Sequence, residues 1–300
     1  MSLVSFVRIR RNTIASMKQA IRESLDLINY SFNKEVKKIA IKPNMCYYWD
    51  YSTGQTTDPR FTAALIELLR ERLSPDIDIA IVESDASAMK CKHVFKILGY
   101  EKLRDNYDVR LVNLSEDKCE RADVNVAGES FRLMIPQTIQ DADLRINIPK
   151  IKYTVDKINI TCALKNIFGC NPYPKKFRYH SRLGEMIVAA NKAMRFDLSI
   201  IDGNIVSGVQ PRRIGLVMAS ADLVAIDVAA AEIAGLNSRT INYIQLARRE
   251  GLGNTSFIGK GLRLAYFKRA YPKKGVKKKL LGKAYNLVTR AKLGARFGID

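Results

Sequence analysis

The sequence of 300 residues lacks a long apolar segment: no apolar run approaches the roughly 18 residues that a membrane-spanning helix needs. Its first residues contain neither the apolar core nor the cleavage site of a secretory signal. These absences predict a cytoplasmic protein, with peripheral attachment to a membrane as an open alternative. Hydrophobic residues nevertheless make up 47% of the chain, which is enough for a sizeable core and argues against general disorder.

Cysteine and histidine are also scarce, with five and two residues, respectively. The cysteines are odd in number and form no CxxC pair, which argues against a disulfide scaffold and against a local zinc or iron–sulfur motif.

Acidic residues are few relative to basic ones: 30 Asp and Glu stand against 50 Lys and Arg, and the formal net charge is +20. The excess is concentrated. Residues 263–300 contain twelve basic residues and one acid, and residues 150–182 contain eight and one. Such a balance predicts anionic partners, namely phosphorylated ligands, nucleic acid or an anionic membrane surface.

Short apolar runs alternate with segments of helical spacing over the first 260 residues. Val36–Ile41, for example, reads as a strand, and Pro59 opens a helix that runs to Leu73. The alternation predicts an α/β fold with mainly parallel sheets and helices on both faces. We expect one α/β domain over residues 1–262, made of two lobes (about 1–120 and 121–262) with a cleft between them, and a basic helical tail over 263–300.

Polar clusters follow several of the predicted strands, where ligands bind in parallel α/β sheets. They are Lys42-Pro43-Asn44, Thr57-Asp58-Pro59, Glu83-Ser84-Asp85, Lys150-Ile151-Lys152, Lys165-Asn166, Lys176 with His180 after a proline-rich loop, and Asp202-Gly203. Each also has a purely structural interpretation: the Thr57 and Glu83 clusters as helix caps, Asp202-Gly203 as a turn, and the lysines as solvated side chains.

A further acid, Asp227, stands within an apolar helix. An unpaired charge there would be costly to bury, which predicts a partner such as a lysine or a backbone amide.

In order and spacing, these clusters resemble the domain of unknown function 362 family. The matching segments span roughly residues 39–262 and include Ile41–Asn44, Thr57–Pro59, Glu83-Ser84, Asp143–Lys152, Leu164–Asn166 with Gly169, His180, Ile201–Gly203 with Gly208, Ala219–Asp222 and Ala225–Asp227. The resemblance implies no settled reaction. It also implies a distant similarity in fold to nickel-dependent lactate racemases, which bind a nucleotide-derived cofactor between two α/β lobes.

Longer members of that family resemble fusions to a ferredoxin-type domain with closely spaced cysteines. This chain has no such cysteines, so no iron–sulfur cluster is expected, and with one histidine near the site a nickel cofactor is unsupported. The cofactor stays unknown, with a divalent cation or a nucleotide-like ligand as open alternatives.

The resemblance implies that seven of these cluster residues form one site, namely Lys42, Asn44, Lys150, Lys152, Lys165, Asn166 and His180. We expect His180, Lys165 and Lys152 to be catalytic. The expected ligand-binding residues are Lys42, Asn44, Thr57, Asp58, Glu83, Ser84, Lys150, Asn166, Asp202 and Gly203. Lysines and amides together suit phosphate or carboxylate groups, and repulsion between crowded lysines would lower the pKa of one of them, making it a base.

Carboxylates near the predicted site could balance its charge or hold a divalent cation. The candidates are Asp58, Glu83, Asp85 and Asp202. Cys46 and Cys170 lie near the same clusters. Ordinary buried thiols are favoured over nucleophiles there.

In the predicted tail, residues 263–300, apolar residues recur at helical spacing and would form one face of a helix. Most of the basic residues lie off that face. The basic residues expected to bind a surface are Lys277, Lys278, Lys279, Lys283 and Arg290. Three uses stay open: docking on the protein itself, attachment to an anionic membrane and, less favoured, binding of nucleic acid. Two functions therefore compete: an enzyme that binds a small anion in the cleft, and a non-enzymatic adaptor that acts through the tail.

Overall fold

The computed structural model describes residues 1–154 and 158–272. The predicted surface-binding residues Lys277, Lys278, Lys279, Lys283 and Arg290 lie outside this part of the chain. Of the predicted basic segment 263–300, the structure describes one short helix.

The described residues form twelve strands and ten α-helices. The strands are Ser2–Arg8 (β1), Lys38–Pro43 (β2), Asp78–Glu83 (β3), Arg110–Asn113 (β4), Cys119–Val126 (β5), Glu129–Pro136 (β6), Leu144–Ile148 (β7), Lys152–Tyr153 (β8), Ile160–Thr161 (β9), Leu198–Val206 (β10), Arg212–Ser220 (β11) and Phe257–Gly261 (β12). The helices are Ile14–Leu27 (α1), Pro59–Arg72 (α2), Cys91–Ile97 (α3), Glu101–Tyr107 (α4), Gln137–Gln140 (α5), Ala163–Phe168 (α6), Leu183–Met194 (α7), Leu223–Ile233 (α8), Asn242–Arg249 (α9) and Leu264–Ala270 (α10).

Eight strands build the main sheet in the order β12-β1-β11-β10-β7-β2-β3-β4. Five of its neighbouring pairs are parallel, and β11 pairs antiparallel with β1 and β10. The predicted mainly parallel α/β fold is therefore confirmed. The sheet combines strands from both predicted lobes, and the division into two lobes stays a prediction.

Helices cover both faces of the sheet because alternate strand residues point to opposite sides. On β2, Ile39 and Ile41 belong to the apolar core that includes Met17 of α1 and Phe61 of α2, whereas Ala40 belongs to the core on the other face. Residues of α6, α7, α8 and α9 pack into that second core.

Capping residues set where several helices begin. The side chain of Asp58 accepts a hydrogen bond from the Arg60 amide, and Pro59 occupies the first turn of α2. Asp222 accepts hydrogen bonds from the amides of Val224 and Ala225 at the start of α8. The predicted cap at the start of α2 is confirmed.

The predicted turn at Asp202-Gly203 is wrong, because β10 continues through both residues to Val206. Asp202 pairs with Val217 of β11, and the ladder is irregular only between Gly203 and Ile205. The dipeptide has the composition of a turn, but its pairing with β11 keeps the backbone extended.

Over the part of the chain that the structure describes, no helix combines the length and the apolar character needed to cross a membrane.

Candidate functional site

A cavity of about 180 Å³ lies at the carboxyl ends of β2 and β3. Its walls come from both halves of the chain: Lys42, Asn44, Met45, Glu83, Ser84, Ala86, Met89, Lys152, Thr161, Lys165, Asn166, Phe168, Gly169 and Lys176. Parallel β2, β3 and β7 end at the same edge, which brings residues distant in sequence together. Seven of the predicted site residues line this one cavity.

A buried ion pair between Lys42 and Glu83 forms part of the cavity wall. Lys42 Nζ lies 2.8 Å from a carboxylate oxygen of Glu83, and the two side chains are 1% and 4% exposed. The same ammonium donates to the backbone carbonyl of Pro43 at 2.7 Å. Gly169 allows this arrangement, because a Cβ there would lie 3.3 Å from Lys42 Nζ and 2.8 Å from the Asn166 carbonyl oxygen.

The predicted site lacks Lys176, which the structure places in the cavity wall. Its ammonium donates to Ser84 Oγ, to the Asp85 carbonyl at 2.9 Å and to the Gly169 carbonyl at 3.2 Å. Burial, reinforced by the charge of Lys42, lowers the pKa of Lys176 to about 8. A crowded lysine was expected from the sequence, but burial contributes more than like-charge repulsion. The sequence signal was its place in a basic stretch after Pro172 and Pro174.

The predicted catalytic residues lie in three different settings. Lys152 is buried in the cavity wall and donates to the Gln55 carbonyl at 3.0 Å. Lys165, on α6, lines the cavity and is partly buried. His180 lies in a 3₁₀ segment, Lys176–Arg182, where its ring stacks on Phe177 at 4.6 Å between centroids, and it is not among the described residues that line the cavity.

Four of the remaining predicted residues form a buried network beside the cavity. Lys150 Nζ lies 3.0 Å from an Asp202 carboxylate oxygen, which also accepts from the Asp58 amide at 2.9 Å. Thr57 Oγ1 accepts from the Asn44 amide at 2.9 Å and donates to the Ile148 carbonyl at 2.8 Å. This network fixes the loop that carries Asn44 against β7 and β10.

Gly203 follows Asp202 in the same stretch of β10. A Cβ there would lie 2.8 Å from the Leu216 Cβ, so its lack of a side chain serves strand packing.

The carboxylates proposed for a divalent cation each have protein partners. Glu83 pairs with Lys42, Asp202 with Lys150, Asp85 with Lys90 and the Cys91 amide, and Asp58 with Arg60. Burial raises the pKa of Asp58, against the effect of the Arg60 guanidinium. Within residues 1–154 and 158–272, no three His, Cys, Asp or Glu side chains are grouped to hold a metal ion.

Cys170 lies beside the cavity as a buried thiol. Burial raises its pKa to about 12, so the nucleophilic thiolate is not populated near neutral pH. Cys46 is partly buried.

Buried Asp227 of α8 supports the helix that carries Lys165 and Asn166. Its carboxylate accepts from the amides of Ala163 and Leu164, at 2.6 and 3.3 Å, and from the Tyr243 hydroxyl at 3.2 Å. The predicted partner of this buried acid is therefore confirmed as a pair of backbone amides at the start of α6.

Comparison with known proteins gives a family and two similar proteins. The sequence model described as "Domain of unknown function (DUF362)" matches residues 39–232. The thylakoid-associated protein sll1697 of Synechocystis sp. is 28% identical over 270 residues, covering 84% of this chain and 81% of that protein. The lactate racemase apoprotein of Thermoanaerobacterium thermosaccharolyticum aligns with a TM-score of 0.46 and 11% identity, covering 79% of this chain and 58% of that one.

Proposed function

The chain belongs to the Domain of unknown function (DUF362) family, and from that premise we propose that it is an enzyme that binds a small phosphorylated or carboxylated ligand in the cavity at the carboxyl ends of β2 and β3. The family name assigns no reaction, so the proposal rests on the chemistry of the cavity wall.

The charge of that wall carries the proposal. Four lysines, Lys42, Lys152, Lys165 and Lys176, line the cavity, and Glu83 is the one carboxylate among the described lining residues. Glu83 is already paired with Lys42, which leaves an excess of positive charge. Ammonium groups with low-dielectric surroundings attract phosphate and carboxylate strongly. The volume of about 180 Å³ is below the roughly 300 Å³ at which pockets for drug-sized molecules begin, which favours a small ligand.

Lys176 is the best-placed acid–base group in this proposal. With a pKa of about 8, it can give or take a proton near neutral pH. In its neutral form, the two remaining N–H bonds suit the carbonyls of Asp85 and Gly169. The Ser84 hydroxyl, which donates to the Gly169 carbonyl while it accepts from the ammonium, would turn to donate to the nitrogen lone pair. Loss of the Lys176 proton therefore asks only for rotation of the Ser84 hydroxyl, which supports Lys176 as the base.

Sulfate binding by the purified protein tests the proposal, because sulfate keeps its charge between pH 7 and 9. We expect Lys176→Met to weaken sulfate binding about tenfold at pH 7, since it removes a charge within a few ångströms of the cavity. Binding to the unaltered protein should weaken as pH rises through about 8, where Lys176 loses its proton, and in Lys176→Met it should not. Isothermal titration calorimetry at constant ionic strength measures both effects.

Lys175→Met is the matched control, because Lys175 is the exposed neighbour of Lys176. It should change sulfate affinity less than about twofold, as expected for a solvent-screened charge. Equal effects of the two substitutions, or no sulfate binding at all, would contradict the proposed site.

A second candidate function is attachment to an anionic membrane surface through the basic segment 263–300. It is favoured by the relative whose name describes it as thylakoid-associated, and by twelve basic residues in this segment. Each basic residue near an anionic surface contributes about 1 kcal/mol.

Replacing the five basic residues predicted to bind a surface with glutamine is therefore expected to abolish sedimentation with phosphatidylglycerol vesicles. The replaced residues are Lys277, Lys278, Lys279, Lys283 and Arg290. Vesicles of phosphatidylcholine alone serve as the control and should bind neither protein. Sedimentation of the glutamine variant at the level of the unaltered chain would exclude this role for the segment.

A further inference from the structure

Three buried asparagines, two of them in the cavity wall, form a chain of hydrogen bonds. Asn147 of β7 donates from Nδ2 to the Ala163 carbonyl at 3.0 Å. Its Oδ1 accepts from Asn166 Nδ2 at 2.7 Å. Asn166 Oδ1 in turn accepts from Asn44 Nδ2 at 2.9 Å. The chain leads from the backbone of α6 to the loop after β2.

Backbone carbonyls fix the direction of the Asn147 and Asn166 amides, and Asn166 fixes that of Asn44. Asn147 must present its NH₂ group to the Ala163 carbonyl, which leaves its oxygen for Asn166. Asn166 Nδ2 also donates to the Lys42 carbonyl at 3.2 Å, so turning this amide over would lose two hydrogen bonds. Asn44 consequently faces an oxygen of Asn166 and has to offer it an NH₂ group.

The amide oxygen of Asn44 is what remains at the end of this chain. Asn44 is 7% exposed, lines the cavity and has an Oδ1 atom that is buried without a hydrogen-bond partner among the described residues. Leaving a buried acceptor unsatisfied costs about 1–3 kcal/mol, so such an atom calls for a donor from the cavity.

We propose that the ligand of the cavity is a small anion that also carries a hydroxyl group, and that this hydroxyl donates its hydrogen bond to Asn44 Oδ1. The inference rests on the proposed function, which supplies the anionic part. A hydroxyl fits better than an amine, because a ligand ammonium would be repelled by Lys42, Lys152, Lys165 and Lys176.

The cavity lysines and Asn44 would thereby recognise different parts of the ligand. The ammonium groups attract any small anion, whereas Asn44 selects among anions by the presence of a hydroxyl. Sites built to bond a substrate hydroxyl reject an analogue that lacks it, because their own polar atom is then left unpaired.

Glycerol 3-phosphate and n-propyl phosphate provide the test, because they share the phosphate and the three-carbon chain and differ in the hydroxyls. We expect glycerol 3-phosphate to bind the unaltered protein about tenfold more tightly or better, the ratio that one satisfied buried acceptor supports. In Asn44→Leu this ratio should fall to near one. Isothermal titration calorimetry of both compounds measures it.

Asn191→Leu controls for the loss of a buried amide. Asn191 lies on α7, donates to the Leu164 and Ile187 carbonyls and does not line the cavity. It should keep the preference for glycerol 3-phosphate. If Asn44→Leu fails to fold, the ratio in the unaltered protein still decides the matter.

The possible results distinguish the hydroxyl requirement from the proposed anion site. Equal binding of the two phosphates would overturn the hydroxyl requirement and leave the anion site standing. Failure of both phosphates and of sulfate to bind would remove the anion site, and the hydroxyl requirement with it.

Discussion

Replacing Lys42 with methionine is expected to destabilise the fold by about 3–5 kcal/mol, because it leaves the Glu83 carboxylate buried without its partner. The two charges lie 2.8 Å apart and are almost inaccessible to water. Methionine matches the length and apolar stem of lysine, so lost packing contributes little. Glu83→Gln is expected to cost a similar amount, since it strands the Lys42 ammonium.

The double variant Lys42→Met/Glu83→Gln should cost much less than the sum of the two single substitutions, because neither charge is then left alone. Urea unfolding of the four proteins at neutral pH gives the free energies.

The exposed pair Arg110–Asp78 supplies the control: its side chains are 54% and 41% exposed, and Arg110→Met should cost less than about 1 kcal/mol. Additive costs, or a Lys42→Met cost no larger than that of Arg110→Met, would show that the buried pair does not hold the cavity wall together.

The place of Lys42 and Glu83 in one site could be predicted because both stand at the ends of apolar strands. Once the alternation of strands and helices indicated a parallel sheet, the carboxyl ends of β2, β3 and β7 had to lie at one edge. Lys152, Lys165 and Asn166 follow β7 within a short stretch of chain, so their arrival at the same edge also followed from order and spacing.

Local pattern could not decide features that depend on distant partners. Asp202-Gly203 reads as a turn, yet β10 continues through it because both residues pair with β11. The Asp202 carboxylate then meets Lys150 and the Asp58 amide. Lys175 and Lys176 are adjacent and identical in sequence terms. Only the path of the loop between α6 and α7 determines that Lys176 faces Ser84 while Lys175 stays exposed.

The unpaired oxygen of Asn44 could not be predicted from the sequence either. Asn44 itself could be placed near the cavity, but the direction of its amide depends on Asn166 and Asn147, and through them on the Ala163 carbonyl. Such a chain of fixed donors and acceptors exists only after α6 has packed against β2 and β7.

Asp227 makes the stability of the protein depend on pH in a direction opposite to that of a salt-bridged acid. Burial raises its pKa to about 7, although two backbone amides and the Tyr243 hydroxyl oppose the shift. In the unfolded chain an aspartate has a pKa of about 3.9. The folded state therefore binds the proton more tightly, and its stability falls as pH rises from about 4 to about 7.

Asp227→Asn is expected to remove this fall, because an amide does not titrate in this range. Between about pH 5 and pH 8, the unaltered protein should lose about 2–3 kcal/mol more of its unfolding free energy than Asp227→Asn does. Asparagine can accept from only one of the Ala163 and Leu164 amides, so the variant starts from a lower stability, and the slope rather than the level carries the result. Urea unfolding at both pH values measures that slope.

Tyr243→Phe keeps the carboxyl group while losing one hydrogen bond to it, and should retain the pH dependence that Asp227→Asn abolishes. Parallel stability curves for the unaltered protein and Asp227→Asn would mean that Asp227 stays ionised in the core over this range, held by the amides at the start of α6.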